Sequence, residues 1–471
     1  MLSLVVALPL TLPLAGVVVP VGDMAALRAA IANASAGDEI VLAPGVYVLD
    51  SNVTCAAAGT ALAPIVVRSE PPRSAEIVSR SLEGFKVQGP HWHFEDLVVR
   101  GDCAVDDDCE HAFHVTGNGH HFVLRRSRVS DTNALIKVNA DAGGSAIPDD
   151  GLIAQNELFH SRPRTTTNPS NAANINTVSR WVVRDNVIHG IGNAGGETYA
   201  TFMKGGGEGG VYERNLVRCR DDGAQAYVGL SFGGGGTGAQ FCAPAFDGAV
   251  PCAVEHRGGV MRNNIVIGCN DVGIYLNRAA DTDLLFNSLI TTSGVDFRFE
   301  TSSGRAIGTL HDGVIRGRNG GVFTDGGDNT ILDDATLAGL YADARSGDVA
   351  FDAAAIATSS AAVVDDDFCG RPRSFPTSVG AVAAPGCLDA KGPPIDAAEG
   401  EGEGEGEGEG EGEGEEGEGE GEGEGEGEGE ADVDDAGGCD CRSSGDAALT
   451  GLLLAVLPLR RRRSAEARRR R

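Results

Sequence analysis

Trp181-Val182-Val183-Arg184-Asp185-Asn186-Val187-Ile188 makes a short apolar run, closes it on an asparagine and opens another apolar run. The same pattern stands at Gly151-Leu152-Ile153-Ala154-Gln155-Asn156-Glu157-Leu158-Phe159, Val211-Tyr212-Glu213-Arg214-Asn215-Leu216-Val217, Val260-Met261-Arg262-Asn263-Asn264-Ile265-Val266 and Leu284-Leu285-Phe286-Asn287-Ser288-Leu289-Ile290. Weaker copies precede it, at Trp92-His93-Phe94-Glu95-Asp96-Leu97-Val98-Val99 and around Phe122 to Val129. Counted on positions 128, 156, 186, 215, 264 and 288, the intervals are 28, 30, 29, 49 and 24 residues. A near-constant period with turn residues between strands is the mark of a solenoid, in which each repeat buries its apolar side only against its neighbours. The interval of 49 is one coil plus an insertion, placed at 233–256. The asparagine is expected in a tight bend, in the left-handed conformation, bonded to its equivalents above and below.

Outward from the repeats, Ala25-Ala26-Leu27-Arg28-Ala29-Ala30-Ile31 has helical apolar spacing, and Ala36-Gly37-Asp38-Glu39-Ile40-Val41-Leu42-Ala43-Pro44-Gly45-Val46-Tyr47 reads turn, strand, turn, strand. This opening resembles that of right-handed parallel β-helix proteins, in which a helix covers the open end of the stack. The expected fold is all-β, a right-handed parallel β-helix over 21–390 with an N-terminal capping helix.

The formal net charge of −30 divides unevenly. Residues 399–430 contain only Glu and Gly, 17 and 15 of them, and 391–471 carries −14, leaving −16 for the body. Nothing supplies the basic stripe that phosphate backbones require, which excludes nucleic acid as a partner. The Glu-Gly run within 391–436 reads as an extended, disordered linker. Beyond it, 437–471 holds Cys439-Asp440-Cys441, an apolar run 447–459 read as a short hydrophobic helix, and arginine clusters at 460–463 and 468–471. That run is shorter than the roughly 20 residues of a spanning helix. The arrangement is similar to sorting tails of the MYXO-CTERM type, which implies a C-terminal sorting protease as partner, membrane contact only through the tail, and display on the outer-membrane surface or secretion. The apolar residues 1–20 read as a signal peptide lacking a basic residue after Met1. Nine body cysteines without a CxxC pair point to disulfides, with Cys103/Cys109 and Cys242/Cys252 stapling loops and one thiol left over.

In a parallel stack, residues at one offset from the corner line a single face at about 4.8 Å per coil. Counting back from the corner gives Lys204, Asn277 beside Arg278, and Arg298, with Glu300 nearby by alternation and His256 and Arg257 arriving on loops. Cations in a row on an otherwise acidic protein suit an acidic polysaccharide.

Glu197-Thr198-Tyr199-Ala200-Thr201-Phe202-Met203-Lys204 resembles the active-site coil of the chondroitinase B and alginate lyase family, polysaccharide lyase family 6. The resemblance implies a lyase that removes the C5 proton of a uronate. Lys204 would be the base and Glu197 a calcium ligand, joined by Asn174 or Asn176. The family's second acidic residue falls on Tyr199 and its arginine falls near Leu230 to Gly233, so Arg257 would replace that arginine, with Arg278, Arg298, Asn277 and His256 binding substrate. Two function classes follow: an exported polysaccharide lyase acting by β-elimination, and a non-catalytic glycan-binding or structural surface protein.

Two other groupings read as surface. Arg220-Asp221-Asp222-Gly223 pairs two carboxylates as inverting glycosidases do, but the Gly-His-Gly and Arg-Ile-Lys companions of polygalacturonases are absent. Six of the ten histidines fall within residues 91–121, and their spacing matches no zinc pattern.

Overall fold

The computed structural model describes residues 16–385, apart from Ala142, Asn168, Glu197, 221–225 and 352–356. Most of the expected signal, the Glu-Gly linker and the sorting tail with its helix 447–459 lie outside the described residues. Three sheets of twelve, eleven and ten strands form the body, each neighbour in a sheet coming from the next coil. One coil contributes Leu152–Ala154, Glu157–Phe159 and Asn171–Asn176 to the three sheets in turn. The next contributes Val182–Arg184, Val187–His189 and Thr198–Lys204, paired in parallel with the coil before. This is the expected parallel β-helix.

Alternation sends one residue set inward, where Phe85, Phe94, Phe113, Phe122 and Trp181 stack coil upon coil at centroid distances of 5.1–6.1 Å. At the corner between the first two sheets runs the ladder. Asn156, Asn186, Asn215, Asn264 and Asn287 are each at most 1% exposed. Each side-chain oxygen accepts from the preceding coil: Asn215 Oδ1 from Asn186 N at 3.2 Å and Nδ2 at 3.0 Å, and Asn264 Oδ1 likewise from Asn215. The amide nitrogen of Asn215 also donates to Val183 O at 2.8 Å. A buried amide is inexpensive only when its groups are paired in this way.

Two details differ from the sequence reading. The left-handed residue is the one before the asparagine: Gln155, Asp185, Arg214, Asn263 and Phe286 have φ of 52–59°. The asparagine side chain fixes the corner, so its neighbour can be almost any residue. The ladder members are also Ser127 and Asn287 rather than Arg128 and Ser288, because Leu289 is the inward residue paired with Val266 and sets the register.

The ends also shift. Helix Met24–Ala32, capped by Asp23, buries Leu27 and Ile31 against the first coil, as expected. Val18–Val21, however, already pairs with Glu39–Leu42, so the first sheet begins inside the stretch assigned to the signal. The parallel stack ends at Thr330–Ile331, well before 390. The chain then makes helix Asp334–Ala338 and two antiparallel pairs, Tyr341–Asp343 with Asp348–Phe351 and Thr358–Ser359 with Thr377–Ser378. This segment packs Leu337, Tyr341, Phe351 and Phe368 on Ile265, Ile267, Ile290 and Leu310, on the outside of the second sheet. Strand Ile265–Ile267 is therefore apolar at all three positions, since both its faces are covered.

Disulfides join Cys103 to Cys109, Cys242 to Cys252 and, across coils, Cys219 to Cys269, while Cys55 is a buried free thiol. Such bonds belong to a protein folded outside a reducing cytosol. No described helix is long and apolar enough to cross a membrane.

Candidate functional site

The third sheet carries the predicted stripe. Asn176 pairs with Lys204, Met203 with Phe232, Gly233 with Asn277, Asn277 with Arg298, and Arg298 with Arg318. Lys204, Asn277 and Arg298 therefore occupy one column, and Gly233 fills the remaining rung where the insertion leaves the sheet. Strand Thr198–Lys204 is buried at all seven positions, because Met203 enters the core while Tyr199 and Phe202 join a separate outer cluster with Val228, Val272 and Tyr275.

The first residues of the insertion lie among the cations. Lys204 Nζ donates to Gly235 O at 3.2 Å and stands 5.2 Å from the Phe202 ring. A methyl on Gly234 would be 3.2 Å from Lys204 Cδ, and one on Gly235 would be 3.4 Å from Asn277 Nδ2 and 4.0 Å from Arg278 Nη1. Gly233, Gly235 and Gly236 have φ of 74°, 70° and 71°, and at Gly233 a methyl would come within 1.8 Å of Asn277 O, so the backbone turns there only as glycine. Arg278 and Arg298 both stack on the Phe299 ring, at 5.0 and 4.9 Å, and Arg298 Nη1 donates to Tyr275 Oη at 3.1 Å. Burial pushes the Tyr275 hydroxyl up, although the Arg298 charge works against that. Asn277 Oδ1, Asn176 Oδ1 and Arg298 Nε are buried polar atoms without a hydrogen-bond partner. Buried groups of this kind are common where a ligand completes the pairing.

Apart from Asn174, sequence reading missed the neighbouring column, which the alternation in the sheet places beside the first: Lys86, His114, Lys137, Asn174, Phe202, Ser231, Tyr275 and Asp296. His114 bonds Glu83 through Nδ1 and Asn139 through Nε2 at 2.8 Å. Burial pushes the Glu83 carboxyl up, but the His114 hydrogen bond and the charges of His114 and Lys86 outweigh it and leave the group at about 2. The period of two along Ala134–Val138, with Lys137 outward between Ile136 and Val138, is the signal that would have found this column.

Other expected residues stand elsewhere. Alternation along His256–Arg257 sends His256 into the core, 1% exposed, stacked on Phe232 at 4.2 Å and accepting from Gly210 N at 3.3 Å. Burial lowers this histidine to about 3, and it cannot reach a ligand. Arg257 points out from the corner strand beyond Lys204, paired with Asp281 at 2.9 Å with both side chains more than half exposed. Glu300 is exposed. Glu197, Asp221 and Asp222 lie outside the described residues.

Calcium takes six to eight oxygens, carboxylates among them. Here Asn174 Oδ1 already accepts from Lys137 Nζ at 3.2 Å and Asn176 Nδ2 at 2.6 Å, and of the two side-chain oxygens only that of Asn176 is unpaired. Tyr199 stands where a second carboxylate was sought. The described residues therefore do not make a calcium site.

No protein-family model matches the chain, and no curated protein matches it. Solved structures do. Pectate lyase Pel9A superposes with a TM-score of 0.50 at 14% identity, over 76% of this chain and 90% of that one. An alginate lyase from Paenibacillus sp. str. FPU-7 gives 0.42 at 16% identity over 65% and 99% of the two chains, and the family 6 alginate lyase AlyGC gives 0.37 at 13% over 80% and 58%. The chain is a parallel β-helix, alike in fold to solved structures that include polysaccharide lyases.

Proposed function

We propose that this protein is an exported, surface-displayed, carbohydrate-active β-helix that binds an acidic polysaccharide along the outer face of its third sheet and cleaves it by β-elimination. The observation that carries this reading is the convergence of Lys204, Asn277 and Arg278 on Gly234 and Gly235, with Arg298 one coil further and joined to Arg278 through Phe299. A chain laid along the helix axis would meet a base, an amide and two guanidinium groups in succession, with the rings of Tyr199, Phe202 and Tyr275 beside them. Guanidinium groups suit the carboxylates of such a polymer.

Chemically, the cations draw the uronate carboxylate and lower the cost of charge developing on it. Lys204 takes the C5 proton; the electron pair of that C–H bond forms the C4–C5 double bond as the C4–O4 bond breaks. The departing oxygen takes a proton from the Tyr275 hydroxyl, which Arg298 holds in the adjoining column. The disulfides support export, and the sorting protease acting on the C-terminal tail remains part of this reading.

The test is incubation of the purified protein with alginate, pectate, chondroitin and heparin, following the ultraviolet absorbance of unsaturated uronate ends. Product from one polymer, lost in Lys204→Ala with binding retained, is the expected result. No product from any of the four would defeat the lyase reading. Binding alone would support the second reading, a glycan-binding surface protein, which the paired stacking of Arg278 and Arg298 on Phe299 favours because it needs no base.

A further inference from the structure

At the corner between the third and first sheets, His91 and His121 are equivalent residues of successive coils, two positions before the paired His93 and Val123. Their rings stack at 4.5 Å and 14°, and His120 sits edge-on to both, at 5.6 Å from His91 and 5.0 Å from His121. One ring nitrogen from each lies within 4.8 Å of the others, and all three residues are half-buried. Among the described residues this is the one group of three potential metal-ligating side chains so placed. We propose that His91, His120 and His121 bind a divalent transition-metal ion of the zinc class, clipping two successive coils together.

The backbone holds the ligands in place. His91 and His121 adopt left-handed φ of 56° and 58°, and their N–H groups donate to His120 O at 3.0 Å and Asp149 O at 2.9 Å. Later coils fill the same corner position with Asp150, Arg180, Gly209, Gly258 and Asp281, all at positive φ. Glycine, aspartate and asparagine are the residues that tolerate this conformation best. The nearby acids are already engaged: Asp149 and Asp150 both pair with Arg180, at 3.0 and 2.6 Å. The donor set is therefore three imidazoles, which suits zinc and its neighbours in the first row rather than calcium or magnesium. Three protein ligands leave a coordination position for water.

The experiment uses the full chain, stripped with chelator, loaded with micromolar zinc and dialysed, with retained metal measured by elemental analysis. The wild type is expected to retain one ion per chain and to gain thermal stability with zinc. The double variant His91→Asn/His121→Asn keeps residues that accept positive φ, so it should fold; its zinc affinity is expected to fall by at least about tenfold and its thermal shift to vanish. His93→Asn, outside the trio, should match the wild type. Cobalt substitution separates imidazole from thiolate binding, since binding at the trio gives no sulfur-to-metal charge-transfer band. No retained zinc in the wild type, equal retention in the double variant, or a thiolate band lost only with the cysteines would each overturn the proposal.

Discussion

The asparagine ladder and the lysine–arginine column cross the same coils, yet they are opposites. In the ladder asparagine repeats in five coils after Ser127, every member is buried, and the amides of Asn156, Asn186, Asn215 and Asn264 are each paired to the coil on either side. In the column the residue changes at every step from Asn176 through Lys204, Gly233 and Asn277 to Arg298, and only Arg318 repeats the one before it. Polar atoms there are left unpaired, and the insertion departs from its middle. Repetition is what a stack needs for stability, because each rung supports the next. Departure from repetition is where side chains are free to meet something other than their own neighbours.

Breaking the ladder should have the largest effect. Asn215→Ala removes the acceptor for Asn186 and the donor to Val183 O and Asn264, at about 1–3 kcal/mol for each buried group left unpaired. A loss of several kcal/mol in chemical unfolding is expected, with amide exchange rising first in the coils on either side. Cutting the column at its base should leave the fold alone: Lys204→Ala is expected to lower turnover by about 100-fold or more while the unfolding midpoint stays near that of the wild type. An equal loss of stability in the two variants would erase the distinction between the regions.

Acid should attack neither of them first. His160 and His256 are buried and neutral, lowered mainly by burial to about 4 and about 3. The unfolded chain takes these protons below about 6.5, whereas the folded one refuses them until the lower values. Stability is therefore full above that range and declines as pH falls toward 4 and then 3. Urea midpoints at pH 7, 5.5 and 4 would show it, and a flat profile would contradict the buried neutral state.

Two smaller effects sharpen the edges of the column. Arg298→Ala loses its stacking on Phe299 and its bond to Tyr275, and about a tenfold weaker affinity for the acidic polymer is expected by titration calorimetry. Arg257→Ala, whose exposed pair with Asp281 lies off that face, should change stability by no more than about 0.5 kcal/mol and leave binding unchanged. A large loss on Arg257→Ala would restore that residue to the site.

The sequence by itself determined the solenoid, the capping helix, the insertion and the column of Lys204, Asn277 and Arg298, because in a parallel stack one-dimensional spacing is converted directly into position along an axis. Only the tertiary structure decided what happens across the coils. It turned His256 inward and Arg257 outward, since a two-residue strand gives no period to read. It laid Leu337, Tyr341, Phe351 and Phe368 over the outside of the second sheet, against Ile265 and Ile267. It gathered His91, His120 and His121 at one corner, because a coil of about thirty residues makes neighbours of side chains that the sequence holds far apart.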